Sequence, residues 1–237
     1  MEIKFTPIST VAEFYKPQPA SSVVPDWYKE LDSYLIDNKK IPGGDGTTTG
    51  TIKRCMPVFD AISAGYILFT SVDIFVTQRK DPNTKAGTAP YYEWPSLTAV
   101  EFHPIEQAPN HPGKGGHELS YPKWMNQWGV KTPPGYSSLF VQPLHRDSVF
   151  TIFPGVVDTD KYFAPINFPF VLNDYSFEGL IPAGTPMAQV IPFKRESWNT
   201  VFGSQEDLRE LSKVSIRLKV KIFDSYKTFY RSKKEFK

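Results

Sequence analysis

The sequence predicts an all-β protein whose middle part forms a barrel or a sandwich. Residues 124–195 contain short runs of β-branched and aromatic residues that follow one another closely. Pro-Pro-Gly and Pro-Ala-Gly turns separate these runs, and such spacing is typical of antiparallel β-domains. The 22 prolines of the 237-residue chain are scattered among the apolar runs, which disfavours long helices.

The first part of the chain, residues 1–60, is predicted to be a partly helical N-terminal arm. Trp27, Leu31 and Leu35 recur every four positions, which indicates a short amphipathic helix. The glycine- and threonine-rich run 42–51 is typical of a flexible loop.

The core is predicted to span residues 61–195, with an insertion at about 79–125. Residues 64–78 are rich in β-branched and aromatic residues and indicate one or two strands. Residues 79–93 and 107–120 are rich in Gly, Pro and Lys, and we expect both to be long loops.

Two further runs predict strands in different settings. Residues 95–105, within the insertion, are compatible with one strand. Residues 164–173 alternate only in part, and their prolines predict a strand at a sheet edge or one that carries a bulge.

Residues 196–237 are predicted to form a helical or mixed C-terminal extension. Ser204 followed by Asp207 resembles a helix-capping pair. Residues 208–223 keep helical spacing, yet the phrase SIRLKVKI also alternates as a strand does, and both interpretations stay open. The final residues 226–237 predict either a solvated helix with an aromatic inner face or a tail that docks on a partner or subunit.

Composition excludes several classes of protein. The formal net charge of +2 gives no general electrostatic reason to bind nucleic acid or an acidic membrane. A single cysteine, Cys55, excludes an intrachain disulfide framework and a zinc site with several cysteines. The chain has no apolar run long enough for a membrane span and no signal-peptide pattern, so we expect a soluble protein made or assembled inside a cell.

The segment GVVDTDKYF, residues 155–163, is the most informative polar stretch. It places Asp158 and Asp160 directly behind an apolar strand. The two acids are interpreted either as turn residues that bond nearby backbone amides or as groups that face a ligand. Asp158 is the better functional candidate because the preceding apolar run would hold it rigidly.

Four segments in order resemble the signature segments of the dUTPase and dCTP-deaminase superfamily. They are SAGYILFTSVDI (63–74), TPPGYSSLFVQPLHRDS (132–148), GVVDTDKY (155–162) and IPAGTPMAQVIPF (181–193). The last three have spacing close to that of the family, and the resemblance covers about residues 60–195. It implies a β-clip-like barrel or sandwich, flanked by the partly helical N-terminal arm and the C-terminal extension.

The resemblance also implies roles for individual residues. Asp158 would be the acid that activates water, and Tyr162, one residue later than in the family, would stack on deoxyribose. Arg146 and Ser148 would approximate the phosphate contacts, and Gln189 would match the glutamine of the fourth segment. An enzyme of this kind would need Mg²⁺ as a cofactor to hold the phosphates.

Several positions depart from the family pattern. The early aspartate that supports the metal waters corresponds to Ile67, which cannot hold a hydrated Mg²⁺. The arginine of the fourth segment is Pro186, Asp147 would repel phosphate, and no Gly-rich closing arm follows Arg195. The deaminase glutamate is missing from residues 164–173. We therefore expect the fold to be kept and the chemistry to be lost.

The leading hypothesis is a non-catalytic structural or interaction protein of phage type on a dUTPase-like fold. The chain also resembles uncharacterised tailed-phage proteins that share the phrases TPPGYS, GVVDTD and IPAGTPMAQVIPF. The alternatives are a nucleotide pyrophosphatase with a rebuilt site and a protein that binds deoxynucleotides without reaction. The resemblance implies a homotrimer, virion proteins are expected as further partners, and the host cytoplasm or the virion is the expected location.

Other candidate residues favour structural roles. The histidines lack metal-ligand spacing, and Cys55 has no neighbouring base to make it a nucleophile. A group of aromatic residues is expected to cap a barrel or to pack at a subunit contact rather than to stack on bases, namely Tyr91, Tyr92, Trp94, Tyr121, Trp124 and Trp128. The glycine-containing segment NHPGKGGHE lacks the spacing of a phosphate-binding loop.

Overall fold

A computed structural model describes residues 1–35, 50–113, 116–220 and 225–237, leaving aside the side chains of 217–220 and 225. Most of the predicted flexible loop at 42–51 lies outside the described residues. The described strands are, in chain order, β1 (Lys4–Pro7), β2 (Gln18–Pro19), β3 (Tyr66–Phe69), β4 (Ile74–Lys80), β5 (Thr88–Glu93), β6 (Val100–Pro104), β7 (Ser120–Trp124), β8 (Trp128–Lys131), β9 (Tyr136–Val141), β10 (Phe150–Ile152), β11 (Gly155–Val157), β12 (Phe168–Leu172), β13 (Gly179–Ile181) and β14 (Pro186–Lys194).

The strands form antiparallel sheets around one apolar interior. One sheet has the order β11-β9-β14-β3-β2 and a second has the order β10-β12-β7-β6. A third contains β13-β4-β5, and β1 pairs with β8. The all-β class is therefore confirmed, and antiparallel pairing fits the short connections between consecutive strands.

Aromatic side chains fill the centre of this interior. The ring of Trp124, on β7, stacks on Phe170 of β12 with centroids 4.1 Å apart. Phe150, on β10, meets the Trp124 ring edge-on at 4.9 Å. All three side chains are fully buried, so they join the strands of one sheet through shared apolar contact.

The helices lie mainly outside this core. They are α1 (Asp26–Glu30), α2 (Met56–Ile62), α3 (Gln205–Val220) and α4 (Ser225–Phe229), with 3₁₀ turns at Val11–Tyr15, Ala20–Ser22, Ile52–Arg54 and Ile105–Gln107. The predicted helical character of the N-terminal arm and of the C-terminal extension is confirmed. α1 is shorter than its apolar spacing predicted, because Leu31 is already in an extended conformation.

The prediction of a long loop at 79–93 is wrong. β4 continues to Lys80 and pairs with β5, so that Phe75 lies opposite Glu93 and Lys80 opposite Thr88. The polar residues belong to this hairpin because β5 is a sheet edge with one exposed face, and Pro90 is tolerated there.

Of the two alternatives predicted for the strand within 164–173, an edge strand or a strand with a bulge, the edge strand is wrong. β12 lies between β10 and β7. Its partners are staggered, since Phe168 and Pro169 face β7, while Phe170 and the residues after it face β10. Pro169 is thus accommodated where one partner strand gives way to the other.

Both ends of the chain contact the core. β1 pairs with β8 and β2 with β3, and Ala12 is part of the buried cluster. At the other end, Arg231 donates to the Asp60 carboxylate at 2.7 Å. The final segment therefore docks on the chain's own α2 region, an arrangement that neither prediction for the tail included. The boundaries between arm, core and extension stay a prediction.

The described helices include none that could cross a bilayer, because none combines sufficient length with sufficient apolar character.

Candidate functional site

The candidate site lies on the turn that follows β11. This strand pairs with β9, with Val157 opposite Ser138. Beyond Val157, the amides of Lys161 and Tyr162 donate to the Asp158 carbonyl at 2.9 and 2.8 Å, which closes a tight turn. The turn carries both acids directly after a strand whose position is fixed by its pairing with β9.

Arg195, at the end of β14, faces both acids. Its Nη1 lies 2.8 Å from Asp160 Oδ1 and 3.2 Å from Asp158 Oδ1, and its Nη2 donates to Asp160 Oδ2. The Gly135 amide donates to the same Asp160 oxygen at 2.8 Å. The guanidinium thus makes a bidentate ion pair with the Asp160 carboxylate, a geometry that gives strong, oriented hydrogen bonds.

Hydroxyl groups beside the turn hydrogen-bond Asp158 and Thr159, the residue between the two acids. Ser137 Oγ donates to Asp158 Oδ1 at 2.7 Å. The Thr159 hydroxyl lies 2.7 Å from that of Thr132 and 3.0 Å from that of Ser138. Thr132, Ser138 and Thr159 are buried, so this network holds the turn against β9.

These contacts lower the pKa of both carboxyl groups. The hydrogen bond from Ser137 lowers the pKa of Asp158, and the charge of Arg195 lowers it further. For Asp160, the Arg195 guanidinium holds the pKa well below its ordinary value of 3.8, and the Gly135 amide acts in the same direction. Asp160 in turn raises the pKa of Arg195. Each partner is charged at neutral pH.

The arrangement is better suited to holding than to proton transfer. The Asp160 side chain is only 6% exposed and is fully engaged, whereas that of Asp158 is 51% exposed. A general base works best when its pKa lies near the working pH, and both pKa values lie below it. The Tyr162 ring, in the same turn, is half exposed.

The Gln189 side chain hydrogen-bonds to other residues in the protein interior and is not exposed to a ligand. It is fully buried in β14. Its Oε1 accepts from the Leu144 amide at 2.9 Å, and its Nε2 donates to the carbonyls of Ala61 and Ala64 at 2.9 and 2.7 Å. The side chain therefore joins β14 to α2 and to the loop after β9.

Arg146 and Ser148 lie in that loop. Arg146 Nη2 donates to the Val23 carbonyl, while its Nε is buried without a partner among the described residues. Gln142 Nε2 is a second buried donor in the same condition. Burial lowers the pKa of Arg146. The Ser148 hydroxyl accepts from the Phe150 amide at 3.2 Å.

An open groove of about 570 Å³ runs along this loop. Its lining residues are Trp27, Gln142, Pro143, Leu144, His145, Arg146 and Asp147. The two unpartnered donors would suit an anion, and the exposed Asp147 carboxylate opposes one.

The predicted site residues fall into two groups at opposite ends of β9. Ser138, opposite Val157, marks the end near Asp158. Val141, opposite Gln189, marks the other end. Three residues of strand separate these positions by about 10 Å. A single chain therefore brings Asp158 and Tyr162 together, but not with Arg146, Ser148 and Gln189.

Ile67, the position at which the resemblance implies an aspartate that supports the metal waters, is also buried in the structure. Ile67 is fully buried in β3, between Gln18 and Gln189 of the neighbouring strands. Pro186 begins β14 at an irregularity in the pairing with β3. These residues do not fit a Mg²⁺ site. Ile67 offers no oxygen ligand, and the carboxylates of Asp158 and Asp160 lie at the other end of β9, where they are paired with Arg195.

The histidines of the described chain are dispersed, and no three metal-ligating side chains come together in those residues. His117 is buried, and its Nε2 accepts from the Leu172 amide at 3.3 Å. Burial lowers the pKa of His117 to about 4. The His111 ring stacks on Phe153 with centroids 4.0 Å apart. Cys55 is exposed.

Four members of the predicted aromatic group lie in the interior of the chain. Tyr92, Tyr121, Trp124 and Trp128 are buried in the chain itself. Tyr91 is more exposed, and the Arg79 guanidinium lies over its ring, 3.1 Å from the centroid.

Sequence reasoning did not select Arg195, Ser137 or Gln142 as site residues. Arg195 pairs with an acid 35 positions earlier, and no local motif announces such a contact. Ser137 belongs to the strand after the Pro-Pro-Gly turn, where alternation with the buried Phe140 gives a partial signal of which face it occupies.

Comparison with known proteins yields no family model that matches the chain and no curated protein that is similar to it. Among solved structures, the chain is similar to a point-mutant dUTPase from phage phi11 of S. aureus, whose structure describes the coordination of a structural Mg(II) ion. The TM-score is 0.30 and the identity 12%, over 73% of this chain and 93% of that one. At this level the likeness carries no argument about fold or site.

Proposed function

We propose that this protein is a non-catalytic structural or interaction protein of phage type, built on a dUTPase-like core and associating with itself. The four segments that resemble the superfamily supply β3, β9, β11 and β14. These strands are consecutive neighbours in one sheet, in the order β11-β9-β14-β3. Four separate segments of the sequence thus form one continuous sheet, which supports common descent of this region with the superfamily.

The observation that carries the non-catalytic part is the pairing of both acids with Arg195. Asp158 is hydrogen-bonded by Ser137 and lies 3.2 Å from the guanidinium, and Asp160 is fully engaged. A water-activating base would need a free carboxylate with a pKa nearer to neutrality. The acids instead bind the residue that follows β14 to the turn after β11.

The test is turnover of the common deoxynucleoside triphosphates with Mg²⁺, followed as pyrophosphate release. We expect none, with the same flat response from Asp158→Asn. Release that Asp158→Asn abolishes and the exposed Glu106→Gln leaves unchanged would overturn the proposal and establish a nucleotide pyrophosphatase with Mg²⁺ as its cofactor.

A second candidate function is deoxynucleotide binding without reaction at the groove beside Arg146. The buried, unpartnered Arg146 Nε and Gln142 Nε2 favour it, because each would gain an acceptor from a bound phosphate. Thermal melting with nucleotides tests this, since a ligand at 100 times its Kd adds about 2.7 kcal/mol to the free energy of unfolding. A shift that Arg146→Met removes, while the exposed Arg209→Met keeps it, would support binding.

The proposed partners follow from the same interpretation. A homotrimer is the proposed assembly, because the resemblance to the dUTPase superfamily implies one. Virion proteins are further proposed partners, and the host cytoplasm or the virion is the proposed location. No membrane or specific nucleic-acid partner is proposed.

A further inference from the structure

A cavity of about 290 Å³ is lined by the edges of two sheets, neither of which carries Asp158 or Gln189. One wall comes from β5, the edge of the β13-β4-β5 sheet, through Pro90 and Tyr92. Another wall comes from Phe102 on β6, the edge of the β10-β12-β7-β6 sheet. We call this space the hairpin cavity. Its volume is close to the lower end of the range for small-molecule sites, so it suits a ligand with a single ring.

One residue of the hairpin cavity has a buried hydroxyl group without an internal partner. Tyr92 is only 5% exposed, and its hydroxyl has no hydrogen-bond partner among the described residues. Phe102 and Phe170 hold the ring, each with its centroid 5.9 Å from that of Tyr92. Burial raises the pKa of Tyr92, so the group stays a neutral hydroxyl that can donate and accept. A buried hydroxyl of this kind is costly unless a bound molecule supplies the missing partner.

A second tyrosine hydroxyl lies near the first. Tyr175 lines the same cavity, is half-buried, and packs edge-on against the buried His117 ring, with centroids 5.0 Å apart. It lies close enough to Tyr92 to raise the pKa of that residue further. Burial raises the pKa of Tyr175, and the charges of Glu118 and Asp81 raise it further. Two hydroxyls and two carboxylates therefore lie close together in the hairpin cavity.

The polar groups at the rim are held in place before any ligand binds. The buried Thr84 hydroxyl lies 3.0 Å from the Asp81 carbonyl and 2.9 Å from the Thr88 carbonyl, which fixes the loop after β4. The Glu118 carboxylate accepts from the Lys85 amide at 2.8 Å. The hairpin cavity is thus largely preformed, as most small-molecule sites are.

The charged residues of the hairpin cavity balance one another. Two bases, Arg79 and Lys80, and two acids, Asp81 and Glu118, line it. Arg79 is already paired, since its Nη2 lies 3.1 Å from Glu93 Oε1. An anionic ligand would meet the two carboxylates and a cationic ligand would meet the two bases. A neutral ligand with several hydroxyl groups can donate to the acids and accept from the bases.

Apolar side chains supply the rest of the lining. Phe102 and Leu119 are 50% and 41% exposed, so both have area left to bury against a ligand. A pyranose ring matches this lining, because its faces are C–H groups and its edge carries hydroxyls that donate and accept. A nucleobase would instead compete with the Arg79 guanidinium, which already lies over the Tyr91 ring.

We propose that the hairpin cavity binds a neutral sugar ring, either as a free monosaccharide or as one unit of a glycan. The Tyr92 and Tyr175 hydroxyls bond the hydroxyl groups of the sugar, and Phe102 covers one face of its ring. The inference goes beyond the proposed function, because residues 79–122 supply most of the lining and lie outside the four segments that resemble the superfamily. It depends neither on catalysis nor on self-association.

The first experiment titrates the full chain with glucose, galactose, mannose and N-acetylglucosamine, followed by saturation-transfer NMR. We expect at least one of them to bind with a Kd on the order of 1 mM. The uronic acid of the same sugar should bind at least tenfold more weakly, because Asp81 and Glu118 repel its carboxylate. A glycan array distinguishes the two sources, since binding there without binding of free monosaccharides assigns the cavity to a glycan unit.

Tyr92→Phe is the decisive variant, because it removes a single oxygen atom. We expect the Kd for the sugar to rise tenfold or more. The melting temperature of the free variant should stay the same or rise, because the lost hydroxyl had no partner among the described residues. A purely structural role of the hydroxyl would lower it instead. Tyr226→Phe, exposed on α4, is the matched control and should leave the Kd unchanged.

A second pair of variants tests the apolar wall. Phe102 and Phe75 are both 50% exposed on strands, but only Phe102 lines the hairpin cavity. Phe102→Ala should raise the Kd tenfold or more, whereas Phe75→Ala should not change it. Thermal melting of each variant shows that it is folded.

Three results would overturn the inference. If no neutral sugar binds, free or on the array, the Tyr92 hydroxyl is satisfied by a bound water only. If a sugar binds the parent chain and Tyr92→Phe equally well, its site lies elsewhere. If nucleosides bind in a manner that Tyr92→Phe weakens, and sugars do not, the cavity takes a base and not a sugar. None of these results bears on nucleotide turnover, which Asp158→Asn tests separately.

Discussion

Two regions of this molecule use the same residue types in opposite settings. The aromatic interior places Trp124 between Phe170 and Phe150, with centroids 4.1 and 4.9 Å away. The segment between β14 and α3 instead leaves Trp198 and Phe202 almost wholly exposed to solvent. Aromatic side chains in the first region stabilise the fold through buried contacts, whereas Trp198 and Phe202 contribute little burial to it. Residue type alone therefore does not reveal which task an aromatic residue has.

The largest expected effect is loss of the interior ring. Trp124→Ala should lower the free energy of unfolding by about 3–5 kcal/mol, because it leaves a cavity beside the stacked Phe170 ring and the edge-on Phe150 ring. Trp198→Ala should change it by no more than about 0.5 kcal/mol. Denaturant unfolding at a protein concentration where both are monomeric measures the difference. Similar losses in the two variants would show that Trp198 packs within its own chain.

The next largest expected effect is the pH dependence of the free energy of unfolding that arises from buried His117. Burial favours neutral His117, whose pKa falls from 6.5 to about 4. The unfolded chain therefore binds the proton more readily, and the stability from this group is complete above pH 6.5 and declines towards pH 4. The difference is worth about 3 kcal/mol at most.

The measurement is the free energy of unfolding between about pH 4 and pH 7, the range in which this group titrates. His117→Asn should remove this component of the slope. His145→Asn is the control, because His145 is exposed and asparagine tolerates its φ of 56°. A slope that survives in His117→Asn would assign the pH dependence to other groups.

The smallest expected effect concerns the ion pair between Asp160 and Arg195, the residue that follows β14. Asp160 has a pKa held below its ordinary value of 3.8, so the stability from its pair with Arg195 is present above about pH 4 and is lost as the pH falls further. Asp160→Asn should therefore lower the melting temperature at neutral pH. The melting temperature of this variant should also fall less than that of the parent chain as the pH is lowered.

Asp158→Asn is the matched variant for this test, because Asp158 is half exposed and touches the same guanidinium. We expect the smaller change from it, with melting followed from about pH 3 to pH 7. A larger loss from Asp158→Asn would mean that Asp158, and not Asp160, anchors Arg195.

Local signals in the sequence predicted much of the fold. The apolar run at 64–78 became β3 and β4, and the Pro-Pro-Gly turn led into β9. Ser204 and Asp207 identified the start of α3, which the structure describes as a helix to Val220 although SIRLKVKI alternates. A cap and exposed helical spacing decide here because the segment has no neighbouring strand to pair with among the described residues.

Contacts distant in sequence set the limit of prediction at the site. Asp158 and Asp160 were found from their position behind a strand, but their partner Arg195 depends on β14 pairing with β9 and β9 with β11. Gln189 has a side chain bonded to residues 125 and 128 positions away. Its burial follows from the placement of α2 over the sheet, which no pattern in the sequence specifies.

Gly65 shows how little freedom that placement leaves. Its φ is +68°, and a methyl group added there would collide with the Val190 carbonyl oxygen. The bend at this residue brings the Ala61 and Ala64 carbonyls to the Gln189 amide. Every other amino acid would collide with the backbone of β14 itself, so position 65 should tolerate no replacement in a saturation library, and descendants of this chain should diverge around it.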